Sequence, residues 1–445
     1  MDERQSEHHV VIIGCGFGGL EATRALAGAP VRITLIDRSN HHLFQPLLYQ
    51  VATAGLSAPS IAAPIRHMLR KQRNVTVLMA EVTVIDKTAR RVALADGQQV
   101  DYDSLIVASG ATHSYFGRNE WAEHAPGLKT LADAFKLRAK VLTAFEQAEA
   151  LANAAECEAW LNFIVIGAGP TGVEMAGTLA EIARHTLKNE FRRIDPARAQ
   201  VLLIEGSERV LQALPAALSA KAQAQLKGLG VQVQTGCRVV HIDAAGIEVE
   251  QAGTRRRIAS KTVIWAAGVA ASPLGRCLDV PLDRAGRVLV EPDLSLAGHP
   301  ELFVIGDLAA AQSSERDGSM KPVPGVSPAA KQMGRQAAAN LLGRLQGRST
   351  QAFRYRDYGA LATIGRRAAV ADVGRFQLSG YFAWLFWLTV HIYFLIGFRN
   401  RLVVLMDWAW AYWSFQRYAR VIAEPAAVQD IGVQSSTSEP SGQRT

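Results

Sequence analysis

Two glycine runs hold the residues of this chain best suited to chemistry: Gly14-Cys15-Gly16-Phe17-Gly18-Gly19 and Gly167-Ala168-Gly169-Pro170-Thr171-Gly172. Each follows a β-branched run, Val10–Ile13 or Phe163–Ile166, and leads into helix-forming residues. In G-x-G-x-x-G the first glycine permits a tight turn, and the second lets backbone N–H groups approach a pyrophosphate. The third allows close helix–strand packing. The phosphate then rests at a helix N-terminus, where unpaired N–H groups and the dipole favour negative charge. One such loop is a weak pointer to a dinucleotide. Two in one chain suggest two dinucleotides held face to face, with electron transfer between them.

The elements needed to position these loops can be read around them. Val10–Ile13 predicts a strand, with a helix near Leu20–Ala27 and a second strand Arg32–Ile36 ending at Asp37. A carboxylate at that spacing meets a ribose hydroxyl. The second unit repeats the plan, with a helix from Thr171 through Arg184, a polar insertion to Gln200 and a strand Val201–Ile204 ending at Glu205. Glu205 would repel a 2′-phosphate and so favour NADH over NADPH, and Arg209 would soften that preference. Three more apolar runs read as returning strands of the first unit: Ser104–Ala111, Thr262–Gly268 and Leu302–Asp307. Ser109, Gly110 and Gly268 lie at small-residue strand ends. Gly306-Asp307 suits a carboxylate or N–H contact to the ribityl or phosphate of a flavin.

The order implies an α/β fold of two Rossmann-like dinucleotide-binding domains, one inserted into the other. The expected division is a first domain over 1–155 and 271–350, and an inserted domain over 156–270. A C-terminal helical, membrane-associating region would cover 351–423, and the Ser/Gln/Pro-rich composition of 424–445 predicts a disordered tail.

With 445 residues, 49% hydrophobic and 20% charged, the chain can build two or three domains with cores, which excludes wholesale disorder. Its net charge of +8 is scattered, without an aromatic-plus-basic stripe, which argues against nucleic acid as a partner. The acidic N-terminus lacks an apolar signal core, so a cytoplasmic body is expected. Cys15, Cys157, Cys237 and Cys277 lie far apart, with no C-x-x-C and no zinc-type spacing. His41 and His42 read as loop structure rather than metal ligands, and no metal site is expected.

From Leu378 to Phe398 the chain carries no Asp, Glu, Lys or Arg, and a second apolar run follows Arg401 to Phe415. Trp384, Trp387, Trp408, Trp410 and Trp413 crowd this region. It could be a transmembrane helix, a helix pair lying in the bilayer interface, or a buried homodimer face. The Trp residues and flanking arginines favour membrane contact, and a basic protein is drawn to anionic headgroups.

Together these parts resemble the two-dinucleotide flavoprotein disulfide reductase superfamily, and within it the type II NADH dehydrogenases, the non-pumping NADH:quinone oxidoreductases. The resemblance is carried by Asn40-His41-His42-Leu43-Phe44-Gln45-Pro46-Leu47-Leu48-Tyr49-Gln50, Gly169-Pro170-Thr171-Gly172-Val173-Glu174 and Trp265-Ala266-Ala267-Gly268-Val269. To these are added Phe303-Val304-Ile305-Gly306-Asp307 and the aromatic C-terminus. It implies FAD in the first domain, NADH as hydride donor in the second and a membrane quinone as acceptor, on the cytoplasmic face of the inner membrane as a peripheral, monotopic protein. It further implies that Glu174 lies near the nicotinamide–flavin contact and that Pro46 and Leu47 lie against the isoalloxazine, in place of the redox cysteines of disulfide reductases. The quinone is expected near Pro328-Ala329-Ala330-Lys331-Gln332-Met333-Gly334. Pro328 stands where one common family motif has its first Gln, which leaves Gln332 and Lys331 as candidates. The rivals are a sulfide:quinone oxidoreductase, a soluble NADH-dependent ferredoxin or rubredoxin reductase, and a non-catalytic redox sensor.

Overall fold

The computed structural model describes residues 7–151, 153–314 and 319–422. The tail expected over 424–445 and the first six residues lie outside the described residues. The first unit is a six-stranded sheet in the order Ser295–Leu296, His299–Val304, Ser104–Val107, His8–Ile13, Val31–Asp37, Val75–Met79. All neighbours are parallel except the first pair. Strands covered on both faces should be unbroken apolar runs, and Val10–Ile12, Leu105–Val107 and Leu302–Val304 are fully buried. The chain reaches the returning strand His299–Val304 only after the whole second unit, so the first unit is discontinuous in sequence.

The second unit is a four-stranded sheet, Val231–Gln234, Gln200–Ile204, Asn162–Ile166, Thr262–Trp265, with all pairs parallel. This corrects one expectation. Thr262–Trp265 pairs with Phe163–Ile166 in the second sheet and is not a returning strand of the first. A strand buried on both faces has the same apolar pattern in either sheet, so its pattern names no partner. The helix after the second loop keeps α geometry over Pro170–Glu181 and then widens into a π-turn, Ile182–Thr186. The two units meet where Ala111–His113 pairs antiparallel with Val269–Ala271.

The C-terminal region begins as a sheet, not a helix: Ala360–Gly365, Ala368–Val373 and Phe376–Ser379 form an antiparallel meander. It lies so close to the second fingerprint helix that a Cβ on Gly177 would fall 1.7 Å from the Ile364 carbonyl oxygen. The apolar run from Leu378 is then divided. Leu378 ends a strand, Gly380 turns at φ +72°, a 14-residue helix spans Tyr381–Phe394, and Gly397 (φ +88°) precedes a helix over Phe398–Ser414. Among the described residues no helix is long and apolar enough to cross a membrane. The transmembrane reading therefore falls, because two glycines cut the run into pieces shorter than a bilayer core requires. The helices bury Ala383, Trp387, His391 and Val404, and present Phe382, Tyr393, Phe398, Met406, Trp410 and Trp413 outward.

Candidate functional site

The two glycine loops are built to one plan. Gly14 and Gly167 take φ +94° and +99°, a region L side chains avoid. A Cβ on Gly19 would fall 1.8 Å from the Gly14 carbonyl oxygen, and one on Gly172 would fall 1.8 Å from that of Gly167. Only glycine lets each helix start so close to its strand. Gly16 and Gly169 have no heavy atom within 4 Å of an added Cβ, so both loops keep open space at the second glycine, where a pyrophosphate must approach.

The acids close both loops in the same way. Asp37 Oδ2 accepts the Cys15 N–H at 2.6 Å and Oδ1 the Ser39 N–H at 2.7 Å. Glu205 Oε2 accepts the Ala168 N–H at 2.6 Å, while Oε1 accepts the Ser207 N–H at 2.8 Å and its hydroxyl at 2.6 Å. Each carboxylate oxygen can take two donors, so both acids are oriented by the backbone and retain capacity for a ribose hydroxyl. Arg209 does not join them: its guanidinium donates to the carbonyls of Leu214 (2.8 Å) and Gln212 (2.9 Å) and pins the following loop.

Strand register gathers the remaining predicted residues. Ile13, Val107 and Val304 are in register on adjacent strands, so Gly14, Ser109, Gly110, Gly306 and Asp307 converge at one carboxyl edge. At the second edge Ile166 is level with Ile204 and Trp265, which brings Gly167, Glu205 and Gly268 together. Two buried polar atoms at the first edge lack a protein partner: Ser109 Oγ and His42 Nε2. His42 Nδ1–H donates to the Cys15 carbonyl (2.8 Å), which leaves Nε2 an acceptor. Burial holds the His42 pKa down at about 4, so the ring is neutral. Open space at Gly16 and two orphaned polar atoms beside it fit a polar cofactor with hydroxyl and phosphate groups.

The loop before the short helix Leu48–Ala52 divides its expected roles. Pro46 is partly exposed, whereas Leu47 is 0% exposed and belongs to the core. Glu174 lies on the second fingerprint helix, Pro170–Glu181. It is buried in its helix, and burial raises its pKa well above the usual carboxyl range. A backbone bond from Thr363 opposes that shift without reversing it. Its charge, if formed, would fall on Tyr49, whose own pKa burial also raises. Glu174 thus lies where the fingerprint helix, the C-terminal sheet and the Phe44–Tyr49 segment meet.

Lys331 and Gln332 separate clearly. Gln332 spends both ends of its amide on the Arg356 backbone, donating to its carbonyl and accepting its N–H at 2.9 Å each. Lys331 Nζ lies 5.3 Å from the Phe17 ring centre and 5.0 Å from that of Phe394, bridging the first loop and a C-terminal helix. Burial lowers its pKa below the ordinary lysine value. Pro328 occupies the first turn of the helix Ser327–Leu345, where a missing N–H costs no hydrogen bond. Sequence reasoning missed His391, which stacks on Trp387 (4.3 Å) and meets Phe44 edge-on (6.2 Å). It also missed Gln50, whose Oε1 accepts the Trp408 indole N–H at 2.7 Å. Gln50 closes a motif that names no partner for it and His391 lies in an apolar run, so the contacts of both arise only when the C-terminal helices dock.

All four cysteines are free. Cys15 sits in the first loop, Cys157 Sγ contacts the Ala148 carbonyl, Cys237 Sγ the Gln234 Oε1 and Cys277 Sγ the Thr83 carbonyl, so among the described residues no cysteine pair forms.

Two loops of this geometry, each on the parallel strands of its own sheet and without a cysteine pair among the described residues, define a two-dinucleotide oxidoreductase. Residues 8–334 match the pyridine nucleotide-disulphide oxidoreductase family, and residues 358–413 match the NDH2 C-terminal domain. The chain is 47% identical over 431 residues to the type II NADH:quinone oxidoreductase Ndh of Mycobacterium tuberculosis, covering 94% of this chain and 91% of that one. It is 28% identical to the type II NADH:quinone oxidoreductase of Staphylococcus epidermidis, over 84% and 92% of the two chains. The chain belongs to the type II NADH:quinone oxidoreductases. Among solved structures, NDH2 from Plasmodium falciparum in complex with NADH aligns with TM-score 0.85 at 21% identity, covering 94% of this chain and all of that one. The sulfide:quinone oxidoreductase of Aquifex aeolicus aligns at 0.70 with 18% identity, over 91% and 95%, a likeness of fold alone.

Proposed function

We infer that this protein oxidises NADH and reduces a quinone, using FAD: NADH, a proton and quinone give NAD+ and quinol. The observation that carries this reading is the intact second loop with Glu205 fixed beside it, in a chain of this family that lacks paired cysteines. Bound FAD supplies the redox chemistry, accepting a hydride and releasing two electrons. The first edge would hold it through the Gly14–Gly19 loop, Asp37, Ser109, Gly110, Gly306 and Asp307, with Pro46 beside the ring system. The second edge would hold NADH through Gly167, Gly169, Gly172, Gly268 and Glu205. Glu174, buried at the junction of the fingerprint helix and the C-terminal sheet, would lie beside the contact between the two cofactors.

Lys331 supports quinone reduction. A cation held against Phe17 and Phe394 stabilises negative charge developing on a quinone oxygen at that edge. Gln332 serves by fixing the helix against Arg356. The outward aromatic faces of the two C-terminal helices support peripheral docking at the cytoplasmic face of the inner membrane, where Trp is favoured. A homodimer using the same faces is the competing arrangement. Replacing Trp410 and Trp413 with Ser in the full chain tests this. Loss of vesicle binding with a constant molecular mass supports docking, and a fall to half the mass assigns the face to a dimer.

The enzymatic reading is tested by steady-state turnover with a water-soluble quinone. NADH-dependent quinone reduction is expected; turnover only with sulfide, or only with a ferredoxin as acceptor, contradicts it.

A further inference from the structure

The second edge opens into a cleft of 920 Å³ that runs from Gly167 and Glu205 to Arg238 and Val239. Its far wall is an aromatic bed. Trp265, Trp121 and Tyr115 are all buried, with Tyr115 stacked on Trp265 at 5.0 Å and Trp121 against it at 5.8 Å. Two of the three are tied to the backbone: the Trp265 indole N–H donates to the Ser114 carbonyl (2.8 Å) and the Tyr115 hydroxyl to that of Ala125 (3.0 Å).

Phe116 stands on it and differs in every respect. Its ring is 70% exposed, edge-on to Trp265 at 5.9 Å, and it lines the cleft. Its backbone takes φ +51°, followed by Gly117 at +86°. The ring lies over Gly268, where an added Cβ would come within 2.8 Å of the Phe116 Cζ. A left-handed backbone at a bulky residue costs free energy, and leaving a large apolar ring in water forgoes the gain of burying it. Both costs fall at one residue, at the rim of the cleft that holds the ribose-binding acid. A rigid exposed ring presented there offers a face to a flat heteroaromatic base.

We propose that Phe116 is the stacking platform for the adenine of NADH. The proposal rests on the reading that this cleft receives NADH. Glu205 and Phe116 line the same cleft, so a base attached to a ribose held at Glu205 is the flat ring that this face would receive.

The test compares NADH with reduced nicotinamide mononucleotide, which lacks the adenosine half, on FAD-loaded Phe116→Ala and Phe116→Gly. KM for NADH should rise about tenfold, with kcat and FAD content unchanged, the scale expected for one lost base stack. KM for the mononucleotide should not move. Phe116→Gly removes the backbone strain, so its melting temperature should hold or rise while the NADH defect persists, and Phe116→Tyr should restore KM. Equal losses with both donors, or an unchanged KM for NADH, overturn the platform. If the wild-type protein does not oxidise NADH at all, the underlying reading fails instead.

Discussion

The two glycine loops share their backbone geometry and differ in what covers them. At the first, Gly18 is closed over: an added Cβ would lie 3.1 Å from Ile305 and 3.2 Å from the Ala330 carbonyl oxygen. The helix Ser327–Leu345 presses onto it, so that a Cβ on Gly334 would fall 2.3 Å from the Gly18 oxygen. At the second, Thr171 replaces Gly18, and the loop faces the 920 Å³ cleft. The C-terminal sheet instead presses on that helix one turn further along, at Gly177. A covered loop suits a cofactor that stays, and an open one suits a substrate that must leave. The same motif thus serves two lifetimes, set by the elements packed around it.

The largest effect expected from this contrast comes from the third glycine of each loop. Gly19→Ala should yield protein without FAD, seen as loss of the visible flavin spectrum. Gly172→Ala should remain yellow but lose roughly a hundredfold in NADH-dependent kcat/KM, the scale of a misplaced substrate. If both variants lose FAD, the division of roles is wrong.

A smaller effect is expected at the acids. Glu205→Gln should narrow the preference for NADH over NADPH by roughly tenfold, because a carboxylate facing a phosphate is repulsive. An unchanged ratio of kcat/KM values would remove Glu205 from the ribose. Lys331→Met should slow reoxidation of the reduced protein by quinone and leave its reduction by NADH intact, measured as separate half-reactions. Slowing of the NADH half alone would take Lys331 away from the quinone.

The smallest effect is on stability in acid. Burial opposes ionisation of Asp133, but His113, the Thr130 and Lys129 N–H groups and the Thr130 hydroxyl outweigh it, and hold its pKa at about 2 against an ordinary 3.8. A depressed pKa contributes stability that is present above the unfolded value and lost as pH falls through the folded one. Asp133→Asn should therefore flatten the loss of melting temperature between about pH 4 and pH 2. It should leave both loops loaded as before, which separates fold stability from site chemistry.

Much of this contrast is legible in the sequence where the physics is local. Glycine at Gly14, Gly19, Gly167 and Gly172, and acids at Asp37 and Glu205, are dictated by turn geometry and strand ends within each unit. What was not legible depends on partners distant in the chain. Thr262–Trp265 has the pattern of any doubly covered strand, and only its pairing with Phe163–Ile166 shows its sheet. The apolar stretch after Leu378 looked continuous because Gly380 and Gly397 are small and uncharged, yet their positive φ angles break it. The carbonyls bonded by Arg209, the Arg356 backbone bonded by Gln332 and the core around Leu47 are likewise partners that a motif or a spacing does not name. Phe116 carried no signal, since neither its exposure nor its φ is written in its neighbours.

The central claim is that one loop keeps FAD while the other passes NADH, with electrons leaving to quinone. Anaerobic titration followed in the visible flavin band tests it most directly. The account predicts bleaching by one equivalent of NADH and recovery on adding one equivalent of quinone. A flavin band untouched by NADH but bleached by sulfide would contradict it.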